Sequence, residues 1–220
     1  MSQNTGTAAS TPSDTEDNEL QSIDDKELVA RTLNELPNCV DGYREILRRY
    51  EGIVYNTCAK MIGNPQEAEE ATQDTFLQIF HKLHQFEGRS SFKTWLFRIA
   101  YNFCLARRAK LAKRNEKQSM FAEEFVVEEH AYEDGLNLEE LSQQVKEALE
   151  RLKPEQKEIV VMKYITGLTL DEISEVLDVK LSAAKMRLYR SLDAFKEAYT
   201  AAQARERAEN KPDNPSTPLI

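Results

Sequence analysis

The sequence predicts an all-α protein, two small helical domains joined by a flexible acidic linker. Three observations carry this reading. Apolar residues recur at helical spacing, no segment alternates convincingly as a half-buried strand does, and charge changes sharply along the 220 residues. The net charge of -9 divides into -6 over residues 1–40, +5 over 41–118, -8 over 119–147 and zero over 148–220. An acidic strip therefore separates two neutral-to-basic blocks, and a partner meets the local field rather than the mean.

Residues 1–22 are rich in Ser, Thr, Asn and acids and bury too little surface to offset ordering entropy, so they read as a disordered tail. A short amphipathic helix is expected over Asp24–Leu36 and a longer one over Asp41–Ile62, stopped by Gly63. Asn64-Pro65-Gln66-Glu67 restarts the chain, with Asn as N-cap and Pro at the first helical position. That helix is expected to run to Leu83. After a loop over 84–91, Phe92 to about Asn115 is helical, with Leu96, Ile99, Ala100 and Phe103 as its stripe. Residues 118–140 have no sustained period and suit a tether. Helices are expected again over Leu141–Leu152, from Pro154 to near Gly167, over Leu170–Leu177 and over Leu181–Ala202, before a frayed tail over 203–220. The domains are thus 23–117 and 141–202.

Two global classes drop out. No uncharged apolar run approaches the ~18 to 20 residues of a bilayer span, and the start of the chain lacks a signal-peptide pattern, which predicts a cytoplasmic protein with no membrane insertion. Cys39, Cys58 and Cys104 lack C-x-x-C spacing, so reduced, packed thiols are expected.

Three segments carry candidate chemistry. Thr169 to Leu177, a turn at Asp178-Val179-Lys180 and a helix from Leu181 have helix-turn-helix spacing. The second helix buries Leu181, Ala184, Leu188, Leu192 and Phe195, which leaves Ser182, Ala183, Met186 and Arg190 outward, flanked by Lys185 and Arg187. Short side chains let a helix enter a major groove, and flanking cations neutralise phosphates. A plain helical hairpin with a solvated basic side accounts for the same pattern.

The middle segment from Lys93 to Lys117 holds eight basic residues and one acid, interleaved with Trp95, Tyr101 and Asn102. On a helical wheel Trp95, Arg98, Tyr101 and Asn102 lie opposite the apolar stripe. Rings beside cations suit unpaired bases, whose faces stack on them. Packing of Trp95 and Tyr101 against neighbouring helices is the equal alternative. On the preceding helix, Phe76, Ile79, Phe80 and Leu83 form an apolar face, and Glu67, Glu69, Glu70, Gln73 and Asp74 crowd its start. Acids there either complement the helix dipole or meet a basic protein surface.

These segments together carry a resemblance. Residues 67–77, followed by Phe86-Glu87-Gly88-Arg89-Ser90-Ser91-Phe92-Lys93-Thr94-Trp95-Leu96-Phe97-Arg98-Ile99-Ala100-Tyr101-Asn102, resemble region 2 of the bacterial extracytoplasmic-function sigma factors, within the sigma-70 family. Leu152-Lys153-Pro154-Glu155-Gln156, Leu170-Asp171-Glu172-Ile173 and Lys185-Met186-Arg187-Leu188-Tyr189-Arg190 resemble region 4. The similarity implies a promoter-specificity subunit of RNA polymerase. It implies docking on the clamp helices of the largest polymerase subunit by Glu70, Gln73, Asp74, Phe76, Leu77 and Phe80. It implies -10 contacts, made to melted strand, by Arg89, Ser90, Ser91, Phe92, Lys93, Trp95, Arg98, Tyr101 and Asn102, with Arg107 and Arg108 holding phosphates. It implies duplex -35 readout by Ser182, Ala183, Lys185, Met186, Arg187 and Arg190. An anti-sigma factor is a further partner the family admits. Ser182-Ala183-Ala184 and Met186 depart from the Gly-Thr-Val-like triplet and small residue usual in the family.

Two other classes fit less well. A stand-alone helix-turn-helix repressor or activator needs a dimer seam to match half-sites, and no coiled-coil pattern supplies one. A hydrolase or metalloenzyme lacks its parts: His81 and His84 are two potential ligands without a third, and no phosphate-cradling glycine loop or nucleophile motif occurs. No catalytic residue, cofactor or metal is expected.

Overall fold

The computed structural model describes residues 19–36, 38–118 and 143–209, and every regular element among them is helical. The expectations for residues 1–18, for the acidic strip over 119–142 and for the chain beyond 209 lie outside the described residues. The predicted N-terminal tail reaches too far: residues 19–22 form a helical turn whose Leu20 is buried. The Leu20 carbonyl accepts a 2.7 Å hydrogen bond from Arg49, which explains why so polar a segment is held.

Helix α1 (Asp25–Glu35) starts where Asp24 accepts the Glu27 N–H at 2.8 Å. Helix α2 (Asp41–Ile62) ends at Gly63, whose φ of 75° is the left-handed stop the sequence implies. Helix α3 (Pro65–Lys82) opens on the Asn64 cap and passes into a 3-10 turn, Leu83–Gln85. Helix α4 (Phe92–Gln118) begins at Ser91, whose Oγ accepts the Thr94 N–H at 3.1 Å. After it come α5 (Gln143–Glu150), α6 (Pro154–Tyr164), α7 (Leu170–Val176) and α8 (Leu181–Glu209). Helix α8 continues past Ala202, where a frayed end was expected; Ala202 is itself buried, so the helix is still packed there.

In the N-terminal half α3 and α4 pack on α2, and α1 crosses α2 where Gly42 admits Thr32; a Cβ on Gly42 would lie 2.4 Å from the Thr32 hydroxyl. In the C-terminal half α5, α6 and α7 pack on α8. The halves do not stand apart. Helix α7 packs on α4 and α6 on α2, and one apolar cluster unites Ile46, Val54, Leu96, Phe97 and Ala100 with Ile159, Val161, Met162, Leu168 and Ile173. A second cluster around Leu149, Leu152 and Val160 belongs to the C-terminal half alone. Cys58 and Cys104 are buried free thiols 3.4 Å apart, and Cys39 is free and half-buried.

Because that core is shared, a cavity made in one half weakens the other. Ile173→Ala, at a fully buried position, should cost about 2–4 kcal/mol. It should lower the urea midpoint reported by Trp95, the single tryptophan. An unchanged Trp95 transition would mean that the halves fold independently.

Candidate nucleic-acid interface

Helix α4 is the centre of the site because neighbours surround it. Leu96, Phe97, Ala100 and Cys104 are all buried, so its apolar side is wider than the stripe read from the sequence. Trp95 and Tyr101 are half-buried against this core, while Arg98 and Asn102 are exposed. Trp95 packs against Phe86 and Phe92 with ring centroids 5.4 and 5.9 Å apart. Of the two alternatives for these rings, packing describes the molecule as it stands. Phe92 is buried, Thr94 too, and Lys93 is half-buried. In the loop before α4, Arg89 is exposed and pairs with Glu87 at 2.5 Å, and Ser90 is half-buried.

The hydroxyl of Tyr101 donates to Glu158 on α6 at 3.0 Å, and Arg108 donates to the same carboxylate. Burial, then the Glu158 charge, push the Tyr101 phenol up to about 12. At the other end of the face the Glu172 carboxylate accepts from Ser91 Oγ at 2.9 Å and Thr94 Oγ1 at 3.0 Å. Its second oxygen accepts the Thr169 N–H and hydroxyl, closing the capping box of α7. Burial acts to raise the Glu172 pKa, yet the hydrogen bonds from Thr169, Ser91 and Thr94 outweigh it and hold the carboxyl below its ordinary value. Neither Glu158 nor Glu172 was marked out as a site residue by sequence. The available signal for Glu158 is an acid directly before the apolar run Ile159-Val160-Val161-Met162.

Arg107 is committed within the protein. Its guanidinium, largely buried, is shared by Glu67 at 3.0 Å, Asp74 at 2.5 Å and Glu70. This cluster ties α4 to the acidic start of α3 and engages two residues expected at the polymerase, Glu70 and Asp74. Phe76 is core, its carbonyl accepting the Tyr43 hydroxyl at 2.6 Å. Gln73, Leu77 and Phe80 are exposed. Leu77 and Phe80, at 58% and 37% exposure, give α3 an apolar outer patch where the sequence pattern placed Phe80 inward.

The helix-turn-helix forms as expected. Leu181, Leu192 and Phe195 are half-buried, Ala184 and Leu188 are buried, and Ser182, Ala183, Lys185, Met186 and Arg190 face solvent. Arg187 is half-buried. Asp178 turns the chain between α7 and α8 at φ 53°, a left-handed position that Asp tolerates better than branched residues. Tyr189, missed by the wheel, is 65% exposed beside Arg190. Among the described residues no group of three or more His, Cys, Asp or Glu could hold a metal ion, and no helix is long and apolar enough to cross a membrane.

This arrangement, an α3–α4 unit beside a helix-turn-helix, matches two family models: Sigma-70 region 2 over residues 46–114 and Sigma-70 region 4 over residues 142–195. The chain belongs to the ECF sigma factors. It is 28% identical to the ECF RNA polymerase sigma factor SigW of Bacillus subtilis, over 71% of this chain and 88% of that protein. It is 29% identical to the ECF RNA polymerase sigma factor SigE of Mycolicibacterium smegmatis, over 77% of this chain and 65% of that one. The fold is shared with the sigma factor RpoE in complex with the anti-sigma factor NepR from Bartonella quintana, with a TM-score of 0.60 and 22% identity over 74% of this chain and 98% of that one. This sigma factor is thus a promoter-specific subunit for transcription initiation, a regulator rather than a catalyst by family.

The Arg107 cluster generates a prediction. Arg107→Ala should destabilise the fold by about 1–3 kcal/mol, because three neighbouring carboxylates lose their common cation. Raising salt should restore part of the loss by screening them. Wild-type stability in low salt would show that the cluster is dispensable to the fold.

Proposed function

We propose that residues 23–117 dock this sigma factor on core polymerase and open the -10 element, and that residues 141–202 read the -35 element as duplex. The observation that carries the reading is the order of surfaces along the chain. An exposed apolar patch with neighbouring acids on α3 is followed by an aromatic and basic α4, and then by a recognition helix with small residues at its start. Leu77, Phe80 and Gln73 supply the docking surface, and Glu70 and Asp74 lend it negative charge. Phe76 supports that surface from inside. Ser90, Ser91, Lys93, Trp95, Arg98, Tyr101 and Asn102 with Arg89 form the melting surface, supported from beneath by the buried Phe92, and stacking there offsets the few kcal/mol of extruding a base. Arg108 and the basic end of α4 hold phosphates, while Arg107 acts through the acids it gathers.

The proposed recognition set is Ser182, Ala183, Lys185, Met186, Arg187 and Arg190. Ala183 and Ser182 permit close approach to the groove floor, and the cations set register on phosphates. The protein acts in the bacterial cytoplasm, with the polymerase, and an anti-sigma protein is the proposed inhibitory partner.

Run-off transcription tests this directly: the protein is added to bacterial core polymerase on genomic fragments and start sites are mapped. Protein-dependent transcripts sharing two upstream elements are expected, and their absence with a cognate core overturns the reading. Arg190→Ala should weaken -35 binding by about 1–3 kcal/mol. Leu77→Asp should abolish copurification with core while leaving helix content intact; retained copurification would remove α3 from the docking surface.

A further inference from the structure

The outward face of α8 carries apolar surface at its centre. On a helical wheel Met186 lies in the middle of that face, with Ser182 one turn before it and Tyr189, Arg190 and Asp193 within the two turns that follow. The opposite side is fixed by packing: Ala184 and Leu188 are buried and Leu181 and Leu192 half-buried, so the helix cannot turn Met186 inward. Met186 is 52% exposed and Tyr189 65%. An apolar side chain exposed singly needs no explanation. These two are neighbours at i, i+3, in a surface otherwise made of Ser182, Ala183, Lys185 and Arg190.

Charge limits how much of this face a duplex can cover. Asp193, exposed on the same strip two turns beyond Met186, presents a carboxylate that phosphates repel. The part of α8 able to lie in a groove is therefore residues 182–190, with Met186 at its middle. Ser182 and Ala183 keep the start of the helix slim, which brings the groove floor within reach of a long side chain one turn further on. Methionine has three rotatable bonds and adapts its shape to what it meets, but its thioether donates no hydrogen bond and accepts only weakly. Set against an adenine or cytosine amino group, or against the guanine acceptors, it displaces water without replacing the hydrogen bonds, which is costly. The apolar group that the major groove displays is the C5 methyl of thymine. Against that methyl both sides gain by burial.

We propose that Met186 selects a thymine in the -35 element by packing on its C5 methyl group, with the Tyr189 ring excluding water beside it. The selection has an attractive part, the buried methyl, and a repulsive part, the unpaired polar edge that any other base would present. The inference rests on the reading of α8 as the -35 helix and adds the base that the helix prefers at its centre. Lys185 and Arg190 hold phosphates or polar base edges, and neither can sense a methyl group. Relatives usually carry a small residue at this position, so the discrimination is particular to this chain.

The test removes the methyl group and nothing else. Holoenzyme reconstituted with the full-length protein is titrated, at fixed salt and at a temperature that keeps the duplex closed, with a promoter found by start-site mapping. Each thymine of its -35 element, on either strand, is replaced singly by deoxyuridine, which has the same hydrogen-bonding edge. At one or two positions the replacement should weaken binding about fourfold, equivalent to ~0.8 kcal/mol for one buried carbon group. Met186→Ser should bind the unmodified duplex more weakly by about fourfold or more and should be indifferent to the same replacements, whereas Met186→Leu should keep the discrimination. Because Met186 is exposed, both variants should retain wild-type helix content and thermal midpoint. Wild-type binding that ignores deoxyuridine at every position overturns the inference, as does a sensitivity that persists undiminished in Met186→Ser, or a mapped -35 element without an A·T pair. The -35 reading fails in a different way: scrambling the whole element would then leave the affinity of the wild-type holoenzyme unchanged.

Discussion

The Glu172 carboxylate joins the amino ends of two helices from different halves of the molecule. One oxygen completes the capping box of α7, and the other accepts from the Ser91 hydroxyl that caps α4 and from Thr94 beside it. A negative charge is favourable at each helix start, where backbone N–H groups lack partners. Placed between two such starts, it sets the angle at which the helix-turn-helix meets the N-terminal half. The shared apolar core forms in that register, with Ile173 one residue beyond the carboxylate and fully buried.

Two further charge clusters, centred on Arg49 and Arg107, follow the same logic at different depths. Arg49 gathers Glu45, Asp25 and the carbonyls of Leu20 and Ile23, which fixes the chain entering α1 against α2. Arg107 gathers Glu67, Glu70 and Asp74, which fixes α3, the proposed docking helix, against α4, the proposed melting helix. Exposed ion pairs contribute little to stability, but these arginines are substantially buried and bridge elements distant in sequence. Their effect is on orientation: a partner that touches α3 touches a helix whose position depends on α4. The proposed docking and melting surfaces are therefore mechanically continuous.

Much of this was legible in the residues. The Asn64-Pro65 start, the Gly63 stop and the inward stripe of α8 follow from local physical chemistry that needs no tertiary information. The order of an acidic helix, an aromatic basic helix and a helix-turn-helix was likewise readable, as the family match reflects. What escaped was nonlocal. Phe80 fits the apolar spacing of α3, yet it lies outside because Phe76, Ile79 and Leu83 already fill the interior. Arg107 and Arg108 are adjacent cations in one basic run, yet each is paired to a different helix, a distinction that spacing cannot make. The apposition of the halves depends on Glu158 and Glu172, whose partners lie 50 to 81 residues away in the chain.

The account turns on two conditions placed on the halves: they share one apolar core in the structure, and the proposed function requires them to reach the -35 and -10 elements separately. The measurement that addresses this most directly is a pulsed dipolar distance between nitroxides at the exposed positions Glu51 and Asp171. A Cys39→Ser background suits it, since the other two thiols are buried. A single short, narrow distribution is predicted for the free protein, replaced by one longer by tens of ångströms, on the order of the -35 to -10 separation, when core polymerase and promoter are added. A distribution already long and broad in the free protein, or one unchanged in the promoter complex, would contradict it.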